Sequence, residues 1–483
     1  MSPSAAPSIT ADSPIPALAT YAAIVGDDHV LTAEAERLAY GRDRLPFGNF
    51  RYRSGAEPGT LPRFVVCPAD EDEVAAVLAA ANAQGQAVIP YGAGSGVLGG
   101  AVPLDNEVTI DLKRLNRMVE INEINGTATV EAGMNGGVFE QTLNRAGFTA
   151  GHYPQSINMS TVGGWAACRG AGQASSRYGK IEDMVVGLRA VLADGRRIDV
   201  RPVARRSVGP SLIDLFVGSE GTLGIITQLT LRIWRKPQVE RGHVIVFPNH
   251  EMGLTALRRV MQAELRPTIV RLYDAEETQA RGGAELGLAH GTAMCVMMFS
   301  GDDRLVAVEE ALTLELCRAG GGVETSRAPL DRWLAERFHS YSAKVISSGA
   351  YMDTIEISGP WDRLPAMYRA MQAAATALDD SVSFGAHWSH VYPDGACMYM
   401  TLKFKAADDQ AAFRIHHDLW DRISTLCIDH GGSIAHHHGA GYFRNPWLVR
   451  ELGTGHGVMR AVKQALDPRG ILNPGKLALG PTA

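Results

Sequence analysis

Three consecutive histidines, His436, His437 and His438, lie well inside a chain of 483 residues, where no expression tag would be placed. Imidazole changes charge near neutral pH and also ligates metal ions, so such a cluster can move protons or hold a cation. Adjacent side chains on an extended backbone point to opposite faces, so at most two of the three would share one centre. No partner carboxylate motif accompanies them. A surface loop and a metal-ligand pair both remain open from these residues alone.

A second kind of chemistry is written in glycine. An apolar run ending at Pro90 leads into Tyr91, Gly92, Ala93, Gly94, Ser95 and Gly96, with Gly99 and Gly100 close behind. Glycine lets a ligand approach the backbone closely, and successive N–H groups can form a concave nest for phosphate oxygens. No lysine follows, which excludes the loop of a nucleoside triphosphatase, and the Gly-x-Gly-x-Gly spacing departs from the Rossmann turn. Two further clusters, Ser160 to Gly164 and Gly218 to Gly224, stand near other predicted strands. One such loop can be a turn. Three suggest a long ligand lying along backbone on several sides, and a flavin dinucleotide has that shape. Arg42, Arg44, Arg51 and Arg53 crowd the loop 41–59, and a solvated surface is the stronger expectation for them than contact with an anion.

Strand–helix–strand units must carry these loops. Phe64 to Pro68 reads as a strand, and the acidic run from Asp70 suits the positive end of the helix that Gly85 stops. Ala87 to Pro90 is the next strand and feeds the first loop. Ala17 to Tyr40 has roughly helical spacing ahead of this unit. Further strands are predicted at 108–112, 128–132, 184–192, 197–200 and 225–233, with a helix at 136–146. Gly151 to Ser156 and Tyr178 to Lys180 are loops. After Pro237 strands fall at 244–248, 268–273, 293–299 and 396–403, with helices at 252–265, 302–320, 360–378 and 408–430. That pattern predicts an α+β cap with helices on one side.

Composition narrows the class. Apolar residues make up 46%, enough for more than one core at this length. The net charge of −6, with both signs mixed, excludes the basic stripe of a nucleic-acid protein. Six scattered cysteines without a Cys-x-x-Cys pair read as reduced thiols of a cytoplasmic enzyme. Met1 to Pro16 lacks the regions of a secretory signal and reads as a mobile tail. No apolar run approaches the roughly 20 residues of a membrane helix.

Four motifs in order, Pro90 to Gly96, Ser160 to Trp165, Tyr178 to Asp183 and Gly218 to Gly224, resemble the flavin-binding domain of the vanillyl-alcohol-oxidase/p-cresol-methylhydroxylase superfamily. The resemblance covers the chain from about Pro62 onward. It implies an α+β fold: a two-subdomain FAD-binding domain of that type, then an α+β cap with an antiparallel sheet. The implied boundaries are a tail at 1–16, the FAD domain at 17–238, the cap at 239–432, and a segment at 433–483 returning to the FAD domain. The resemblance also implies FAD pyrophosphate on residues 90–96. Pro154, Gln155, Ser156, Ser160, Thr161, Gly163, Gly164, Trp165, Tyr178, Glu220, Gly221, Gly224, Ile225 and Ile226 would line the rest of the cofactor. No His or Cys lies between Pro90 and Gly100, so the flavin is expected to be non-covalent.

Metal-dependent 2-hydroxyacid dehydrogenases of the superfamily carry Glu-His-Gly where this chain has His437, His438 and Gly439. Upstream they carry Gly-Asp-Gly-Asn-x-His, and here the stretch Pro393 to Tyr399 lacks the metal-binding histidine, so no metal is expected. Tyr399, the triplet and Arg271 instead resemble the alkylglycerone-phosphate-synthase branch, as do Val270 to Leu272, Gly359 to Arg363 and Asn445 to Leu448. Where that branch has a further arginine, residues 340–347 offer only Lys344, which lacks the bidentate fork. Leu466 to Lys476 looks more like the dehydrogenases.

The resemblance implies an FAD-dependent oxidoreductase that passes hydride from a small hydroxylated, anionic substrate to flavin. One or two of the three histidines, with Tyr399, would take the hydroxyl proton, and Arg271 would hold the anion. Electrons would leave to oxygen, a quinone or a protein. The alternative is alkyl transfer through a flavin adduct without net redox change. A homodimer is the expected assembly, with neither nucleic acid nor an integral membrane segment as a partner.

Overall fold

The computed structural model describes residues 16–46, 60–339 and 350–480. Arg51, Arg53, Lys344 and almost all of the predicted tail lie outside the described residues.

The first sheet orders its strands Val30–Leu31, Val65–Val66, Val108–Asp111 and Val88–Tyr91; the last three run parallel. Parallel neighbours need a crossover, and the helix Glu71–Gln84 supplies it. Asp70 caps its start by accepting the Glu73 N–H at 2.9 Å, and Gly85 ends it in the left-handed conformation. The predicted helical stretch 17–40 is broken. Gly26, at φ +87°, ends the helix Pro16–Val25, and a two-residue strand precedes the helix Glu34–Leu38.

A second, antiparallel sheet runs Met118–Asn122, Thr127–Glu131, Ile225–Arg232, Val185–Val191 and Arg197–Val200. Ile225 and Ile226 bridge the two subdomains, because their side chains enter the cores of the first and second sheets respectively.

The third sheet has seven antiparallel strands. In spatial order they are Val323–Glu324, Val239–Phe247, Ala293–Gly301, Ile269–Tyr273, Ser383–Val391, Gly395–Phe404 and Tyr351–Pro360. One face packs on the helices His250–Gln262, Asp303–Ala319, Leu364–Thr376 and Asp409–Asp429 through Val270, Leu272, Trp388, Met398 and Met400. The other face is not bare at its far end, where the helix Ala328–Glu336 seats Leu330 against Val244, Tyr273 and Met294. Pro360 closes a strand rather than opening a helix. The proline in the first helical turn is Pro365, after the turn 361–363.

The end of the chain comes back to the first sheet. Val88 donates to Ile471 O at 2.8 Å, and Asn473 N–H donates to Val88 O at 2.8 Å. Among the described residues no helix is long and apolar enough to cross a membrane.

Candidate functional site

The three glycine loops meet. A Cβ on Gly92 would lie 2.3 Å from Thr161 Oγ1, and one on Gly221, at φ +74°, would lie 2.3 Å from Pro90. Only glycine permits these approaches, so the first loop is pressed against the second on one side and the third on the other. Thr161 caps the short helix Val162–Ala167, and Trp165 Nε1 donates to Ser160 Oγ at 2.7 Å. Gly163 lies so close to Ala132 that a Cβ would sit 2.5 Å from it, and Gly164 receives the Thr161 cap. Gly224 packs against Phe216.

The backbone N–H groups of Ala93, Gly94, Ser95 and Gly96 have no acceptor among the described residues. Four successive unmet donors on half-exposed or exposed backbone are left free for the oxygens of an anion. The neighbouring loop holds a second orphan. His152 is 1% exposed, its ring centroid is 4.7 Å from that of Trp165, and neither ring nitrogen finds a partner. Burial, then Lys180, pull its pKa down to about 3, so it stays neutral. Tyr178 packs beneath Gly151, while Pro154 and Ser156 accept from Ile157 and Met159 within the same turn. Gln155 reaches across to His339 O at 3.3 Å. These features fit a bound dinucleotide.

Glu220 has a different place. It sits at φ +48°, a conformation costing a non-glycine residue about 1–3 kcal/mol, and its carboxylate accepts from Ala440 N–H at 2.6 Å and Gly441 N–H at 2.9 Å. It fastens the segment after the histidine triplet to the cradle.

The face of the third sheet turned away from the four helices gathers the polar and titratable side chains. Register places Tyr399 opposite both His387 and Glu356, and His387 opposite Tyr273. Paired residues share a face, so Arg271, Tyr273, His387, Tyr399, Thr354 and Glu356 are brought together. A bulge at Ser389 adds one residue to that strand. His387 and His390, three apart, would otherwise point to opposite faces; the bulge turns His390 onto the same one.

Glu356 organises the triplet. Fully buried, it accepts the N–H of His436 at 2.6 Å and of His438 at 2.9 Å, and pairs with the equally buried Arg444 at 3.0 Å. Arg444 in turn holds Gly439 O at 2.7 Å, and Lys180 holds His436 O at 2.6 Å. The side chains then diverge. His436 meets Tyr392 OH at 2.9 Å and His437 Nδ1 at 2.9 Å. His390 lies 5.0 Å from His436 and 5.1 Å from His437, ring to ring, and ligand atoms of these three fall within 4.8 Å of one another. Two members of the triplet thus do share a centre, and the third imidazole there is His390, which the sequence pattern did not single out. His438 turns toward Glu356 at 3.5 Å and toward the ring of Tyr399.

Electrostatics keep the cluster neutral. Burial first pulls His390 down to about 3, with Arg271 and Lys180 adding to it, and holds His436 and His437 well below the ordinary value, with the neighbouring imidazoles and Lys180 adding to it. Tyr399 is pushed up to about 12 by burial and donates to Thr354 Oγ1 at 3.0 Å. The result is a set of uncharged bases beside a protonated phenol. Arg271 donates to His387 Nε2 at 2.7 Å and to Tyr273 OH at 3.2 Å. His152, His387, His390, Lys180, Glu356 and Arg444 were all missed by sequence reasoning. Lys180 lies inside the Tyr178–Asp183 motif and His152 inside the loop 151–156, the two signals that the sequence offered.

Residues 62–201 match the FAD binding domain, and residues 236–477 match the C-terminal domain of the FAD linked oxidases. The alkyldihydroxyacetonephosphate synthase of Trypanosoma brucei brucei is 30% identical over 94% of this chain and 80% of its own length. The FAD-linked oxidoreductase YgcU of Escherichia coli (strain K12) is 30% identical over 94% of this chain and 96% of its own. Glycolate oxidase subunit GlcD of Bacillus subtilis (strain 168) is 27% identical over 94% and 95%. A solved alkyldihydroxyacetonephosphate synthase structure, 22% identical, covers 97% of this chain and 87% of that one, with a TM-score of 0.80, so the two share a fold.

Proposed function

The chain belongs to the FAD linked oxidases and is an FAD-dependent oxidoreductase, and from that premise we propose that it oxidises a small, hydroxylated, anionic substrate at its CH–OH carbon. The carrying observation is one sheet face that brings Arg271, His387, His390 and a protonated Tyr399 together beside the neutral imidazoles of the triplet. When bound, FAD supplies the hydride acceptor.

In this reading the loop 90–96 holds the pyrophosphate by the backbone N–H groups of Ala93 to Gly96, without a covalent link. His437 accepts the substrate hydroxyl proton as the C–H bond breaks. Neutral at working pH, it is ready without prior deprotonation, and its contact with His436 and then Tyr392 OH gives the proton a way outward. Tyr399, turning its O–H away from Thr354 Oγ1, donates a hydrogen bond to the same oxygen. Arg271 holds the anionic end, and its bonds to Tyr273 and His387 fix the direction of its fork. GlcD, named a glycolate oxidase subunit, supports a hydroxy acid as the substrate class.

The test is anaerobic mixing of the flavin-loaded protein with hydroxy acids and hydroxylated phosphates. Loss of the visible absorbance of the oxidised flavin is the expected result for at least one compound. If none bleaches the flavin, the oxidation reading fails. A second reading is alkyl transfer without net redox change, favoured by the intact triplet beside Tyr399 and by identity with the trypanosomal synthase. It predicts exchange of the fatty acid of an acylated dihydroxyacetone phosphate without bleaching.

A further inference from the structure

His152, in the loop 151–156, carries an imidazole that the rest of the fold leaves without a polar contact. It is 1% exposed, and among the described residues it is the one histidine with both ring nitrogens buried and unpartnered. Packing sets its position on two sides. Trp165, anchored by its own bond to Ser160, lies against the ring at 4.7 Å between centroids. Gly172 lies against the backbone, where a Cβ would stand 2.4 Å from Tyr153 N, and Gln173 N–H donates to Tyr153 O at 3.0 Å. A neutral imidazole has one donor and one acceptor nitrogen. Burying both unmet is unfavourable unless a ligand supplies what the fold withholds.

Two neighbours narrow the ligand. His152 and Lys180 both stand near enough to His390 for their charge to depress it, and Lys180 acts on His152 in the same way. His152 thus lies between the glycine motifs, which it meets at Trp165, and the imidazole cluster of the third sheet, which it meets electrostatically at His390. In an FAD-dependent oxidoreductase the reacting carbon touches the flavin ring and the acid–base groups at once. The ring of the cofactor therefore belongs in this interval, and its pyrophosphate at the free N–H groups of Ala93 to Gly96.

We propose that His152 donates its ring N–H to a polar atom of the isoalloxazine and thereby raises the reduction potential of the flavin. Reduction adds two electrons to the ring, so its oxygen and nitrogen acceptors become stronger. A donor fixed beside them then binds the reduced ring more tightly than the oxidised one. With its pKa near 3, His152 stays uncharged, so it offers this donor across the working pH range without bringing a charge of its own. The role differs from that of His437: His152 acts on the cofactor, whichever substrate the enzyme takes.

The reduction potential of the flavin-loaded protein, read against a reference dye with a chemical reductant, tests this without any substrate. His152→Leu removes both nitrogens. It should lower the affinity for reduced relative to oxidised flavin at least about tenfold, the loss of one charge-assisted hydrogen bond, which is a fall of about 30 mV or more in a two-electron potential. His152→Gln keeps a donor and should recover part of that fall. A purely structural role would weaken both oxidation states alike and leave the potential unmoved. A smaller shift in His152→Leu, or an equal one in His152→Gln, overturns the proposal. Should His152→Leu fail to retain FAD, a crystal structure of the flavin-loaded parent protein decides. A ring nitrogen of His152 within about 3.2 Å of an isoalloxazine nitrogen or oxygen is the expected result, and a longer separation overturns the contact. A flavin that the reductant reduces but no alcohol bleaches would sink the oxidation reading and leave this contact standing. An unmoved potential beside normal bleaching would do the reverse.

Discussion

Arg271 Nη2 stands 2.7 Å from His387 Nε2. A guanidinium can only donate, so Nε2 must accept, and the proton of His387 resides on Nδ1. That Nδ1 is buried and has no partner among the described residues, while the ring stacks on Tyr399 at 4.8 Å. Burial, then Arg271, hold His387 well below the ordinary imidazole pKa. One arginine thus fixes the tautomer, the charge and the orientation of the ring beside the phenol.

Replacing Arg271 with methionine removes both the donor and the positive charge. His387 should titrate at higher pH than in the parent protein, because the nearby cation is gone. Nitrogen-15 NMR of the imidazole should show the Nδ1–H population falling toward a mixture of tautomers. An unchanged tautomer would mean that the ring is held by its packing alone.

His437→Asn should slow substrate oxidation by about 10² to 10⁴-fold, the usual contribution of a general base, while FAD content stays at the parent level. Stopped-flow reduction of the flavin measures this step directly. Parental rates in the variant would remove His437 from its role.

The pH profile of flavin reduction should lack an acid limb near 6.5. His390 sits at about 3 and His436 and His437 well below the ordinary value, so the bases are already free at pH 5 to 6. Tyr399, near 12, should give no basic limb below about pH 10. A bell centred on pH 6 to 7 would contradict the neutral cluster.

Stability should fall as pH drops from 6.5 toward 3. The folded pKa values of His152 and His390 are near 3 against 6.5 for the free side chain, so the unfolded chain binds the proton first. The stabilisation is complete above pH 6.5 and drains below it, at up to about 1.4 kcal/mol per pH unit for each group. Urea unfolding at pH 7.5 and pH 5 reads this slope, and His390→Asn should make it shallower.

Glu356→Ala should destabilise the protein by about 3–5 kcal/mol, because it strands the buried Arg444. It should also release the His436 and His438 backbone, so activity should fall further than in the doubly neutral Glu356→Gln, Arg444→Met variant. Denaturant unfolding and flavin-reduction rates together separate the two effects.

The glycine loops were legible in the chain because their chemistry is local. A missing side chain at Gly92 or Gly221 is written in the sequence, and the close approach it permits is the structural result. The cap strands and helices at 244–319 and 396–430 were legible from periodicity to within a few residues. The strands Tyr351–Pro360 and Ser383–Val391 were not read. With them went Glu356, His387 and His390, whose roles depend on cross-strand register. The bulge at Ser389 breaks the alternation that would have flagged the two histidines as neighbours. Pro360 ends a strand and Pro365, five residues on, lies in the first turn of the helix, a division that two nearby prolines do not reveal in sequence.

The fastening of Glu220 to Ala440 and Gly441, and of Asn473 Nδ2 to Gly100 O at 3.0 Å and Glu220 O at 2.6 Å, has a bearing on biosynthesis. The first glycine loop leaves the ribosome long before Glu220, Ala440, Gly441 and Asn473, the residues that brace it. A nascent chain can form the parallel sheet and its crossover helix while the loop still lacks these partners. A chain stopped before Asn473 is expected to fold most of its sheets and to hold flavin poorly.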